Sequence, residues 1–344
     1  MYAHALLTAL ALAVALAAKD GMCIVYANDD TRSFYFSGVT AAGALHPQLL
    51  EFKNWDALLL GLAAGEDENT LYVVPQGVGP RDINMTIATL TTSPNGTAAV
   101  SYAVLGGVPG YDVPHAFTYM PTMHLDEARG QMVAMLEGTN GPPPAARSVR
   151  DPGDLFLVIA DVFPANGTVG SVLADLGALD MRWGEGAISG VSALAGGAYY
   201  INAVGGNVPS GQAIYGVPLN GSAPTLVAYG ADANVAHLFY SQAQGGLLVI
   251  TTDGKGAPTL ARFSPPSPVF TPIFSWNVAG GLEDFGLYDV TPDGSKLLSV
   301  LTNADGEAPR LVVLDLVALK ELVRIPLSGF SAAETVCDVS WCNV

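Results

Sequence analysis

Positive charge is scarce in this chain: 14 Lys and Arg stand against 31 Asp and Glu in 344 residues, a formal net charge of −17. A surface of that sign repels phosphate backbones, so the composition argues against nucleic acid as a partner. Charge of either sign is rare, at 13% of residues, while half of the residues are hydrophobic. That balance excludes a disordered chain and requires a large core. Three cysteines, Cys23, Cys337 and Cys342, are too few for a disulfide scaffold. Long stretches with a 3.6-residue apolar period are missing, as are a nucleophile elbow, zinc-ligand spacing, a phosphate-binding glycine loop and an EF-hand loop.

The longest apolar run stands at the N-terminus. Ala5 to Ala18 reads ALLTALALAVALAA and contains Ala15-Leu16-Ala17, an A-x-A cleavage pattern. It is too short and too rich in small residues for a membrane anchor and reads as a secretory signal peptide over residues 1–17. No later run is long enough to span a bilayer. Residues 18–344 contain no Ser/Gly linker or charge run, and the expectation is one extracellular domain. Four N-glycosylation sequons follow from a secreted reading, at Asn84, Asn95, Asn166 and Asn220. The last three are Asn-Gly pairs, which are also the preferred residues of a type I′ hairpin turn.

What fills the chain is a series of runs of five to eight residues rich in Val, Leu, Ile, Tyr and Phe, separated by Gly, Pro, Asn and Asp. This is an all-β pattern. The runs fall into a recurring four-strand unit, clearest over 284–326: Asp284 to Thr291, Lys296 to Leu301, Arg310 to Asp315 and Glu321 to Pro326. The unit before it runs Asn234 to Ser241, Leu247 to Thr251, Pro258 to Phe263 and Val269 to Trp276. Another runs Gly186 to Leu194, Ala198 to Ala203, Gln212 to Pro218 and Pro224 to Tyr229, and two looser ones begin near Asp56 and His115. Second strands begin near Cys23, Leu71, Gln131, Ala198, Gly246 and Lys296, at intervals of 48, 60, 67, 48 and 50 residues. Such spacing suits the blades of a β-propeller, with the Pro-rich loop Gly138 to Asp154 lengthening the third unit.

The ends are complementary. The first unit has Cys23 to Ala27, Ser33 to Gly38 and Gln48 to Lys53 but no inner strand, whereas Glu334 to Trp341 is an inner strand without partners. Joining them gives a six-bladed propeller closed by its C-terminal strand and removes two exposed edges. Antiparallel pairing brings Cys342 beside Cys23 and leaves Cys337 as a free thiol; Cys23–Cys337 needs a shifted register and stays open as an alternative. A seven-bladed propeller and a pair of β-sandwiches are the competing folds.

Inner strands of a propeller line its axis, so their first residues meet on one rim. A polar residue stands at or near each entrance: Asp56, His115, Glu185, Asn234, Asp284 and Glu334. Asp56, Glu185, Asn234 and Asp284 are the residue types that calcium prefers, and a cation relieves repulsion among gathered carboxylates. Turn capping explains the same residues without a ligand. Trp55 and Trp183 offer a stacking surface on that rim or pack between blades. His115 and His237 are candidate general bases with no partner at fixed spacing, which leaves a structural role open.

The unit Leu287 to Val300, LYDVTPDGSKLLSV, and the entrance residues give the chain its resemblance to six-bladed propellers of the gluconolactonase, senescence-marker, arylesterase-like lactonase and strictosidine-synthase-like group. The resemblance is one of architecture. It implies calcium on the axis, held by Glu185, Asn234 and Asp284 with Asp56, and a lactonase or esterase activity at the channel mouth. Weighed against it is an extracellular binding module that engages a protein, glycan or small molecule through its acidic face. A structural role in a cell-surface coat or filament is the third reading.

Overall fold

A computed structural model describes residues 21–342 except 29, 32, 46–49, 53–58, 66–68, 77–85, 94–96, 111–122, 140–154, 177–186, 205–211, 230–233, 253–257, 266, 268, 277–281, 292, 304–308 and 331–333. The described residues form six four-stranded antiparallel sheets arranged as the blades of a ring. Blade 1 contains β1 (Met22–Asn28), β2 (Ser33–Val39) and β3 (Leu50–Phe52). Blade 2 follows with β4 (Leu59–Ala64), β5 (Thr70–Gln76), β6 (Thr86–Ser93) and β7 (Thr97–Val104). Blade 3 is β8 (Met123–Asp126), β9 (Gln131–Thr139), β10 (Leu155–Phe163) and β11 (Thr168–Asp175). Blade 4 comprises β12 (Ala187–Ala195), β13 (Ala198–Val204), β14 (Gln212–Pro218) and β15 (Thr225–Tyr229). Blade 5 is β16 (Asn234–Ser241), β17 (Gly246–Thr252), β18 (Pro258–Phe263) and β19 (Phe270–Ser275). Blade 6 is β20 (Leu282–Val290), β21 (Lys296–Asn303), β22 (Arg310–Asp315) and β23 (Lys320–Pro326). The last strand, β24 (Glu334–Trp341), joins blade 1 as its inner strand. No described helix is long and apolar enough to cross a membrane.

The apolar runs follow from where each second strand sits. It is sandwiched between two neighbouring blades, so both of its faces are buried and successive residues serve different cores. Leu71 and Val73 of β5 pack toward blade 1, while Tyr72 and Val74 pack toward blade 3. Val133 and Met135 of β9 face blade 4, and Met132, Ala134 and Leu136 face blade 2. The hydrophobic interior is therefore divided into six main clusters, one at each junction between blades. Each fully buried side chain of this kind contributes about 1.5–3 kcal/mol.

Closure is made at blade 1. β24 pairs antiparallel with β1 from Met22↔Trp341 to Asn28↔Glu334, and Cys342 N–H donates to the carbonyl of Gly21 at 2.9 Å. Cys23 and Cys342 form a disulfide with their Cα atoms 5.9 Å apart. The competing Cys23–Cys337 pairing is excluded by register. Cys23 stands opposite Ser340, and a β-bulge between Val25↔Asp338 and Tyr26↔Val336 leaves Cys337 as the extra residue, buried and reduced.

Candidate functional site

Inner strands run from the entrance rim to the opposite face, so position along the strand fixes height along the axis. Glu334 opens β24 and Asn234 opens β16, and Asp284 is the third residue of β20. For Asn234 and Asp284 the backbone alone is described; Trp55, Asp56, His115, Trp183 and Glu185 lie outside the described residues, as do Asn84 and Asn95. At the described part of the rim, Asn28 Nδ2 donates to Glu334 Oε1 at 3.1 Å, and Asn28 Oδ1 accepts from Thr31 N–H at 3.1 Å. Glu334 raises the pKa of Tyr26, after burial, which is the larger cause; Tyr26 is stacked on Tyr35 and edge-on to Phe330. His237, proposed as a base at the mouth, is the fourth residue of β16 and is buried, with its ring edge-on to Tyr288 at 4.2 Å.

Below the rim the inner strands carry a second polar set, and its members reach across the junctions between blades. Asp289 of β20 accepts Ser340 Oγ–H at 2.7 Å and Trp341 N–H at 2.9 Å, both from β24. Asp338 of β24 accepts Leu62 N–H of β4 at 2.7 Å. The second oxygen of each carboxyl accepts the next backbone N–H of its own strand, from Val290 and Val339, at 2.8 Å. Tyr288 O–H donates to the carbonyl of Leu238 in blade 5 at 2.9 Å. Between blades 3 and 4, His124 Nε2 and Ser192 Oγ are 2.8 Å apart, and Ser192 Oγ is 3.3 Å from the Tyr199 hydroxyl. Nearer the rim, Gln212 Oε1 at the start of the third strand β14 accepts Val235 N–H across the junction of blades 4 and 5.

Burial governs the electrostatics of this set. Desolvation pushes Asp338 up to about 8, against hydrogen bonds from Leu62 and Val339 that favour the carboxylate. Asp289 rises to about 6 for the same reason, opposed by Ser340, Trp341 and Val290. The charge on Asp289 adds to the rise at Asp338. His124 falls to about 4 by burial, so its imidazole is neutral at physiological pH. A histidine and serine at this separation have the reach of a base and nucleophile. Ser192 is 3% exposed and shared with Tyr199, however, so here the pair joins two inner strands.

Sequence reasoning singled out the entrance residues and passed over Asp289, Asp338 and Ser192. Two signals mark them. Asp289-Val290 and Asp338-Val339 repeat an Asp-Val step near the ends of two inner strands, β20 and β24. Register shifts precede the buried groups: between Ile188 and Ser192, between Val235 and His237, between Asp284 and Leu287, and beside Asp338. Bulges of this kind re-aim side chains, and Gly190 and Gly286 within their strands are the sequence trace of two of them. Among the described residues no three His, Cys, Asp or Glu side chains converge as a cation site.

The type I′ expectation for the Asn-Gly pairs fails where it can be read. Among described residues Leu319 alone has a positive φ without being glycine, so Asn166 and Asn220 do not adopt the left-handed conformation a type I′ turn needs. Asn166 is the third residue of the four-residue turn 164–167, and only Gly167 is left-handed, with φ +71°. Asn166 Oδ1 caps Thr168 N–H and Asn220 Oδ1 caps Ser222 N–H, and both asparagines are exposed.

These features define an all-β, six-bladed propeller whose inner strands are tied together by buried polar bonds. Solved structures agree on the fold. A chain of a nidogen/laminin complex is similar over 94% of this chain and 98% of its own, at 11% identity and a TM-score of 0.52. The Pseudomonas aeruginosa periplasmic gluconolactonase is similar over 94% and 99%, at 14% identity and a TM-score of 0.50. No protein-family model matches the chain, and no curated protein matches its sequence.

Proposed function

We propose that the protein is a secreted, extracellular binding module that engages a protein, glycan or small-molecule partner on its acidic entrance face. The observation that carries this reading is the use made of the reactive side chains below the rim. Asp338 and Ser192 are buried, Asp289 and His124 are half-buried, and all four are spent on bonds that hold neighbouring blades together. Such a centre serves as a rigid platform, and recognition then falls to the loops around it. The N-terminal apolar run and the Cys23–Cys342 bridge support export to an oxidising compartment. A similar fold occurs in a nidogen/laminin complex, itself an assembly of proteins. The second reading, a lactonase or esterase using calcium held by Asp56, Glu185, Asn234 and Asp284, draws on the likeness to a gluconolactonase.

Charge reversal separates the faces. A variant with Asp56→Lys, Asp284→Lys and Glu334→Lys is expected to lose binding on an array of extracellular proteins and glycans, while Asp315→Lys on the opposite face binds as before. Retention by the entrance variant and loss by Asp315→Lys refutes the assignment. A calcium-dependent rise in melting temperature together with turnover of a lactone and ester panel decides for the second reading.

A further inference from the structure

The turn between β10 and β11 holds a modifiable amide beside an exposed aromatic ring. Phe163 and Thr168 close the turn as a cross-strand pair, so their side chains share a face. Both are exposed, Phe163 by 41%. The Phe163 ring lies over Gly170, where a Cβ would stand 3.0 Å from it. Asn166 N–H donates to the Phe163 carbonyl at 3.2 Å, which keeps the two residues together. Asn166 Oδ1 is taken by Thr168 N–H at 2.9 Å, whereas Nδ2 has no hydrogen-bond partner among the described residues. Gly167, the middle residue of the sequon, anchors the turn to blade 2. Its carbonyl accepts Gly106 N–H at 2.7 Å, and a Cβ on it would lie 2.0 Å from the Val104 carbonyl oxygen.

We propose that Asn166 carries an N-linked oligosaccharide and that the first sugar lies on the Phe163 ring. In the transfer, Nδ2 bonds to the anomeric carbon of an oligosaccharide borne on a lipid pyrophosphate. The bond from that carbon to phosphate oxygen breaks, the lipid pyrophosphate leaves with the electron pair, and one amide proton passes to base. The fold uses Oδ1 alone, so the linkage costs no hydrogen bond, and the exposed Thr168 completes the acceptor motif. The C–H face of the sugar then shields a ring that water otherwise wets. Asn220 occupies the equivalent turn of blade 4, but the residue three before it is Val217, fully buried, so a glycan there has no ring to cover. Strand direction puts the β10–β11 turn at the end of blade 3 opposite the entrance rim, and a glycan on it leaves that rim open. The inference rests on the export half of the reading above and not on which face binds.

Secretion of the full chain from a eukaryotic host, under its own N-terminal segment, supplies the material for the test. Release of N-glycans by an amidase in heavy-oxygen water marks each occupied asparagine for peptide mass spectrometry, and Asn166 is expected to be marked in most secreted chains. A secreted chain with Asn166 unmarked overturns this proposal and leaves export standing; a chain retained in the cytosol overturns both. Urea titrations of wild type and Phe163→Ala, each before and after the amidase, then isolate the contact. Covering about half of the exposed part of Phe163, roughly 40 Å², corresponds to about a fivefold change in the unfolding constant. Deglycosylation is therefore expected to raise that constant about fivefold more in wild type than in Phe163→Ala. Thr168→Ala, which abolishes the sequon but keeps the backbone N–H that caps Asn166, is expected to remove the difference. Equal effects of the amidase with and without the Phe163 ring, or a difference that survives Thr168→Ala, overturn the contact.

Discussion

Removing the Cys23–Cys342 bridge measures how much of the ring depends on its covalent closure. The perturbation is Cys23→Ser with Cys342→Ser, which leaves the β1–β24 register and the buried clusters in place and prevents exchange with Cys337. The bridge spans 319 residues, and a logarithmic law for loop closure in the denatured chain gives a loss of about 6 kcal/mol at 25 °C. Unfolding entropy of about 2.1 cal/mol/K per residue converts that into a fall in melting temperature of roughly 9 °C for a domain of this size. Thermal melts followed by far-ultraviolet circular dichroism suffice. The double variant and the reduced wild type are expected to melt together, and Cys337→Ser to keep the response to reductant. A fall of less than about 2 °C refutes the reasoning, since the closing pair then contributes little beyond the strand pairing it accompanies.

Three further outcomes are expected. Asp338 titrates near 8 in the folded protein against an ordinary value of 3.8, so its contribution is complete below the unfolded value and is lost as pH rises through the folded one. His124, lowered to about 4, acts in the opposite sense between about 4 and 6.5, and above that range it is neutral in both states. Urea titrations from pH 6.5 to 8 are therefore expected to show about 2 kcal/mol of lost stability, and Asp338→Asn to flatten the profile. Gly294 has a φ of +66° and a side chain there would overlap the backbone of Gln242, so Gly294→Ala costs about 2–3 kcal/mol by urea midpoint. Gly130, with a φ of +61° but open space around it, loses about 1 kcal/mol on the same substitution. Ser192→Ala leaves His124 Nε2 and the Tyr199 hydroxyl without their shared partner, and lowers stability by about 1–3 kcal/mol in the same assay.

The blades were legible because second strands are buried on both faces and read as unbroken apolar runs, such as Leu71 to Val74 or Leu247 to Ile250. Closure was legible because a strand set without an inner member and an inner strand without partners lie at opposite ends. The bonds among inner strands were not, because each depends on the relative height of two blades. Nothing local in Asp338 says that its oxygen meets Leu62 N–H, 276 residues away. Asn166 misled for a related reason: Asn-Gly fits a two-residue turn by composition, and the register Phe163↔Thr168 leaves four residues to be spanned.

Joining first strand to last has a cost in time during synthesis. Asn28 and Glu334 are 306 residues apart, so at cellular translation rates roughly 15–60 s pass before β1 meets the strand that covers its second edge. Until then Ile24 and Val25 have a half-built neighbourhood, and β1 presents an unpaired edge.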